Sequence, residues 1–387
     1  MKNIPEIRIK GFEGEWKEKR LEDVAPLQRG FDLPTSQLEK GPYPVVYSNG
    51  IGYYHKYYKC KAPGLVTGRS GTIGHFTYIR DGYYWPHNTT LWVTDFKGNE
   101  PLFIEYLYKN KHFENFMMGS GVPTLNRNEI HKEHSAIPNL AEQQSLGSFF
   151  SSFDRLLSDH HRRLENLRRV KKSMLQKMFP QQGQTVPEIR FKGFSGEWEK
   201  AKLSTFLEVS EEKNSDNFYG IEDVLSVSGD YGVVNQIEFQ GRSFAGASVA
   251  GYGVAETGDV IYTKSPLKSN PYGIIKTNKG KPGIVSVLYG VYHPIKGRTD
   301  SSFVQTYFES DARLNNYLRV LINKGSKNTL LISDEDALRG EVCFPSYEEQ
   351  QRLSSFFTSL DNLINDEVNY IDQLTRVKST LLQKMFV

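Results

Sequence analysis

The chain contains two copies of its own frame, in pieces whose spacing differs. Pro5–Trp16 (PEIRIKGFEGEW) returns as Pro187–Trp198 (PEIRFKGFSGEW), displaced by 182 residues (187 − 5), and Glu142–Phe179 returns as Glu349–Phe386, displaced by 207 (349 − 142). The stretch between the repeated pieces is therefore 25 residues longer in the second half (207 − 182), and its sequence there is scarcely related to the first. A chain that keeps its frame and replaces what lies between folds as two similarly built halves that present different surfaces.

The second repeated piece has a helical pattern. Apolar or semi-apolar residues stand at Leu146, Phe150, Phe153, Leu157, His160, Leu164, Leu167, Lys171, Met174 and Met178, at steps that alternate between four and three. This is the heptad signature of a helix with one continuous seam, about 50 Å long at about 1.5 Å per residue. Adding 207 leads to the same seam in the second half, with Glu367 at the step of His160 and Lys378 at that of Lys171. Such stripes either pack separately on their own domains or pair with each other. The repeat favours pairing as an antiparallel coiled coil, because a local twofold relates equivalent helices in opposite directions. His160 then faces Glu367 if the axis passes through that layer, and Ile371 if it falls between layers.

The stretches from about Leu21 to Leu140 and Leu203 to Ser346 read as mixed α/β. Short β-prone runs (Phe76–Ile79, Leu91–Val93, Val260–Thr263, Gly283–Leu288) are separated by Gly, Pro and Asn turn signals. One amphipathic helix follows in each, Pro101–Met118 with Pro101 at its first position and Asp311–Asn323 with Asp311 as its N-cap. The fold class expected is α+β, two pseudo-symmetric mixed domains separated by two long helices. The boundaries are 1–140 for the first domain, 141–179 for the first helix, 180–186 for a polar linker (PQQGQTV), 187–346 for the second domain and 347–387 for the second helix.

Hydrophobic residues make up 38% and charged residues 24%, as in ordinary globular proteins. There is no apolar run long enough for a membrane span and no signal-peptide core at the N-terminus, so the expected location is the cytoplasm. Cys60 and Cys343 have no metal-ligand spacing, so neither a zinc site nor a disulfide is expected. Net charge is only +3, but its distribution is uneven. Up to Val186 there are 26 Lys+Arg against 19 Asp+Glu (+7), and from Pro187 on 22 against 26 (−4). Any nucleic-acid surface must then come from particular loops, not from the overall field.

Two sets of loops qualify. Thr67–Gly74 (TGRSGTIG) combines three glycines with the donors Arg69, Ser70 and Thr72. Arginine there can fork onto guanine or grip phosphate, although a tight hairpin with a solvated Arg would have the same sequence. Gly258–Ser265 (GDVIYTKS) holds the comparable place in the second half, with Lys264 and Ser265 in its loop and Lys268 just beyond. After the amphipathic helices come Gly119–Arg127 (GSGVPTLNR), ending in Arg127, and Lys324–Asn328 (KGSKN), with Lys324 and Lys327. Small and basic residues at a helix end suit phosphate contacts and equally suit an ordinary C-cap. In Trp85–Val93 (WPHNTTLWV), His87 and Asn88 could face bases. Catalytic motifs are incomplete: SNPY at Ser269–Tyr272 lacks the second proline of a methyltransferase motif, Gly280-Lys281 is followed by Pro282 and so is no P-loop, and Asp95-Phe96-Lys97 lacks the upstream half of a nuclease motif.

Taken together, the duplicated PEIRxKGFxGEW segment, GRSGTIG ahead of NTTLWV, the EQQ helix starts after Ile137-Pro138 and Phe344-Pro345 and the LLQKMF-type helix ends resemble the specificity subunits (HsdS) of Type I restriction-modification systems, over nearly the whole chain. The resemblance implies a non-catalytic subunit whose two target-recognition domains read a bipartite, asymmetric double-stranded DNA sequence. Two methyltransferase subunits (HsdM) would dock on the helices and restriction subunits (HsdR) would complete the complex. The chain itself would carry no cofactor, and S-adenosylmethionine, ATP and Mg²⁺ would belong to the partners. The second half departs from the glycine-loop pattern, which weakens the carry-over of a DNA-contacting role to Lys264. A self-contained restriction enzyme and a coiled-coil adaptor without DNA specificity are the alternative readings.

Overall fold

The computed structural model of the chain describes residues 3–118, 123–246, 248–267, 269–324 and 330–387. It divides into two compact units, Met1–Arg163 with Glu367–Val387, and Leu164–Asp366. The fold is α+β. Each unit holds a portion of both long helices, Leu140–Lys177 and Tyr347–Met385.

The repeated segments meet one another inside each unit. In the first, Ile7 N–H donates to Lys384 O at 2.9 Å, Lys384 pairs with Glu6 at 2.6 Å, and Trp16 lies edge-on to Phe103 and Phe386, which stack on each other. In the second, Ile189 N–H donates to Lys177 O at 2.9 Å, Lys177 pairs with Glu188 at 2.6 Å, and Trp198 lies against Phe179 and Phe303, again stacked. Each unit is thus closed by the end of one long helix bound to a PEIR segment. A two-stranded ladder, Lys17–Arg20 with His134–Ile137 or Glu199–Lys202 with Glu341–Phe344, completes each frame.

The helices run antiparallel within each unit. Along the first unit, Phe150 meets Phe386 (5.8 Å between centroids), Asp154 pairs with Lys378, and His160 Nδ1 lies 2.6 Å from Glu367 Oε1, so one set of numbers rises as the other falls. In the second, Phe357 meets Phe179 (5.8 Å) and Asp361 pairs with Lys171 (2.5 Å). These are the same contacts shifted by 207. His160 faces Glu367 rather than Ile371, a pair that the 207 shift maps onto itself.

Above each frame stands a four-stranded antiparallel sheet of the same order. It is Leu27–Arg29, Thr90–Val93, Gly64–Gly68, Phe76–Ile79 in the first unit and Leu207–Val209, Tyr289–Pro294, Val260–Thr263, Ile274–Thr277 in the second. The remaining strands differ. The first unit adds a second four-stranded sheet (Gly50–His55, Lys40–Tyr47, Tyr83–Pro86, Cys60–Lys61), whereas the second has the hairpin Leu225–Ser228/Gly232–Asn235 and the pair Gly253–Ala255/Gly283–Val285.

Two expected helices need correction. The helix from Pro101 ends at Asn110, because His112 turns left-handed (φ 49°) and Phe113–Phe116 tightens to a 3-10 turn. Ser310, not Asp311, occupies the N-cap position of Asp311–Arg319, and a separate helix, Ser301–Tyr307, precedes it with Asp300 as a true cap.

Candidate nucleic-acid interface

In the first unit, the central strand Gly64–Gly68 delivers the glycine loop to one end of the sheet. A Cβ on Gly68 would lie 1.7 Å from Thr72 O, so the loop folds back on itself only with glycine there. Arg69 N–H donates to Thr89 O (2.8 Å) and Arg69 O accepts from Leu125 N–H (2.7 Å), while Ser70 N–H also reaches Thr89 O (3.2 Å). The Arg69 backbone is thus tied on both sides, yet its half-exposed guanidinium has no hydrogen-bond or ion-pair partner among the described residues. A rigid base with an unspent cation is the arrangement that presents arginine to an external anion or base edge. Thr72 is exposed beside it.

The neighbouring turn is self-braced, with Thr90 Oγ1 donating to His87 O (2.7 Å) and His87 Nδ1 lying 3.0 Å from Thr89 Oγ1. Burial lowers the His87 pKa against the pull of Asp32, which favours a neutral ring, and Tyr47 covers that ring at 4.5 Å. The Asn88 amide donates to Asp32, so it is engaged within the unit. Two residues beyond Leu125, Arg127 opens a short helix capped by Asn126 and is exposed without a described partner. Arg69, Ser70, Thr72, Asn88 and Arg127, spread over nearly sixty positions, are thereby linked around one end of the sheet.

The second unit repeats the backbone and changes the chemistry. Gly68 pairs with Thr90 in the first sheet and Thr263 with Tyr289 in the second, so Lys264 is the positional equivalent of Arg69. Its N–H donates to Leu288 O at 2.9 Å, as Arg69 does to Thr89. Its ammonium, however, pairs with Asp334 at 2.9 Å and is only 15% exposed, so its charge is already answered inside the unit. Ser265 is half-exposed. Lys324 lies in a short strand that pairs with Leu330, and only its backbone is described. Lys268, Lys327, most of Lys324–Asn328 and the glycine-rich part of Gly119–Arg127 lie outside the described residues.

Three features escaped the sequence reading. Tyr231 (69% exposed) packs on Phe239 at 5.0 Å, and Arg242 lies 4.7 Å over the exposed ring of Phe244. Exposed aromatic faces, that of Phe244 backed by a cation, are suited to stacking on bases, and FQGRSF at Phe239–Phe244 was their only signal. In the first unit, Tyr43, Tyr58 and Tyr83 form a partly exposed cluster with centroids 4.2–6.0 Å apart. The third is the repeated Arg–Glu clamp. Arg8 grips the buried Glu142 through two bonds of 2.8 and 2.7 Å, as Arg190 grips Glu349 at 2.8 and 2.6 Å. Among the described residues no cluster could hold a metal ion, and no helix is long and apolar enough to cross a membrane.

Residues 13–169 match the family model described as the Type I restriction modification DNA specificity domain. Over 299 residues the chain is 24% identical to the MjaX specificity subunit of a type I restriction enzyme from Methanocaldococcus jannaschii, covering 73% of this chain and 66% of that protein. Over 291 residues it is 21% identical to the MjaVIII specificity subunit of the same organism, covering 73% and 68%. The chain therefore spans about two thirds of the length of these relatives. The crystal structure of a Type-I restriction-modification system S subunit from M. genitalium shares the fold over 99% of both chains, with a TM-score of 0.65 at 13% identity.

Proposed function

We propose that this chain is a specificity subunit of a Type I restriction-modification system and reads a bipartite and asymmetric DNA sequence, one half-site per unit. It is a recognition subunit and not a catalyst. The observation that carries the reading is the contrast at equivalent positions. The same strand end, held by the same backbone hydrogen bond, presents a free Arg69 in one unit and a neutralised Lys264 in the other. Equivalent positions with different chemistry meet different bases. The first unit would read through Arg69, Thr72 and Arg127. The second would rely on Arg242, Phe244 and Tyr231 more than on Lys264.

The long helices support docking of two methyltransferase subunits. Leu156 and Leu363 are exposed to 39% and 47%, and Val170 and Val377 to 45% and 48%. Each pair is related by the shift of 207, so each unit carries one exposed Leu and one exposed Val from different helices. Apolar side chains left outside at equivalent places are what two copies of one partner require. Restriction subunits would join that assembly. S-adenosylmethionine, ATP and Mg²⁺ would be held by the partners, which supply the methyl-transfer and cleavage chemistry.

Replacing residues 203–346 with the corresponding segment of another specificity subunit, within the assembled methyltransferase, tests the reading. One half of the methylated sequence should change and the other persist. A change in both halves, or in neither, overturns it.

A further inference from the structure

The second unit contains a part-buried cation that no carboxylate answers among the described residues. Arg313, in the first turn of the helix Asp311–Arg319, lies with its guanidinium carbon 4.8 Å from the ring centres of both Phe179 and Tyr307. Its one hydrogen bond is from Nη1 to Tyr307 O at 2.8 Å, and no carboxylate pairs with it among the described residues. Burial holds the guanidinium below its usual pKa, the sign of a desolvated charge. A partly desolvated guanidinium without a counter-charge favours an anionic partner from outside the fold.

The surroundings say which partner. Arg313 lines a cavity of about 570 Å³, within the size range of small-molecule sites. Gln181 and Asn316 supply neutral amides to its wall, and Lys200 at the rim is already paired with Glu341 at 2.8 Å. One unspent cation is therefore present. Its planar fork is fixed between two rings and matches a carboxylate, whereas a phosphate dianion would leave a negative charge unanswered. We propose that this cavity is a binding site for a carboxylate group, supplied by a small molecule or by a polypeptide. Such a site is separate from DNA reading and is tested without DNA.

The site contains its own reporter. Cys343 lines the cavity and is partly exposed, with burial raising its thiol, and the chain's other cysteine, Cys60, is buried with its thiol pushed up to about 11. Alkylation of Cys343 in the full chain by iodoacetamide would be followed by mass spectrometry in the presence of N-acetylglycine (a chain-end carboxylate), N-acetyl-aspartate amide (a side-chain carboxylate), N-acetylglycinamide (neutral) and inorganic phosphate. One or both carboxylates should slow alkylation, and which one does so identifies the source. The neutral amide should need a concentration about tenfold higher or more for the same effect. Arg313→Gln should abolish the difference while melting normally. If Arg313→Gln does not fold, Asn316→Asp keeps the stacked arginine and places a carboxylate three residues along the same helix, and it should suppress protection by added carboxylates. Equal protection by the neutral amide, protection by phosphate alone, or unchanged protection in both variants overturns the proposal.

Discussion

Arg8→Ala should destabilise the first unit far more than loss of a surface ion pair. Glu142 is 1% exposed and receives Arg8 Nε at 2.8 Å, Arg8 Nη2 at 2.7 Å and Trp16 Nε1 at 3.3 Å. Removing Arg8 leaves a buried carboxylate with one weak donor, a change that costs about 3–5 kcal/mol. It also frees the carbonyls of Glu13 and Gly14, which Arg8 holds at 3.0 and 2.6 Å. At about 2–4 °C per kcal/mol for a unit of this size, the expected fall in melting temperature is about 6–20 °C. Scanning calorimetry of the full chain is the assay, because two units need not unfold as one transition. Arg190→Ala should produce the same fall in the other unit, since its bonds to Glu349 and Gly196 repeat those of Arg8. Adding Glu142→Gln to Arg8→Ala should recover part of the loss, because the amide needs no counter-charge and still accepts from Trp16. A cost below about 1 kcal/mol, the range of exposed pairs, would refute the claim that this clamp holds the frame together.

Arg69→Ala should weaken DNA binding by about 1–3 kcal/mol and relax one base position of one half-site, or, if Arg69 holds phosphate, lower the salt slope of binding by about one unit; unchanged affinity across salt would leave it a solvated hairpin residue. Lys264→Ala should affect DNA affinity less than Arg69→Ala because of its bond to Asp334, and an equal loss in parallel binding titrations would contradict that. Leu363→Glu should reduce methyltransferase stoichiometry from two copies to one by native mass spectrometry, and retention of two would exclude this patch from docking. A double-mutant cycle of His160→Ala and Glu367→Ala should yield a coupling of about 0.5–3 kcal/mol, and additive effects on unfolding would reject the contact. Burial pushes the Asp154 carboxyl up, but Lys378 and Tyr106 more than offset it and hold it below the usual 3.8. Its contribution is therefore present above the unfolded value and is lost as pH falls through the folded one. Asp154→Asn should lower the urea midpoint at pH 7 and converge with the parent in strong acid, and a constant difference at all pH would contradict the linkage.

The long helices and their antiparallel pairing were legible because a heptad seam is a local pattern and the repeat supplied the partner. The same logic brought His160 close to the axis but left Glu367 and Ile371 both open as its partner, because only packing fixes which layer the axis crosses. The strands Phe76–Ile79 and Val260–Thr263 were legible from β-branched and aromatic runs between turns. The role of the repeated words themselves was not, because Arg8 and Glu142 are 134 residues apart and neither lies in a pattern that names its partner. Their joint recurrence at different offsets was the available signal. Equivalence of Arg69 and Lys264 could be inferred from position after a strand, but the bond to Asp334, seventy residues on, could not. Exposed Tyr231 and Phe244 are indistinguishable by composition from the many aromatics that build the cores.

Single-molecule sequencing of DNA from cells carrying this chain with its methyltransferase tests the central claim most directly, because the methylated motif records what both units read. The motif should consist of two short, unrelated specific sequences separated by a nonspecific spacer, with one methylated adenine or cytosine position on each strand. A continuous motif, or a palindrome with identical halves, would contradict it.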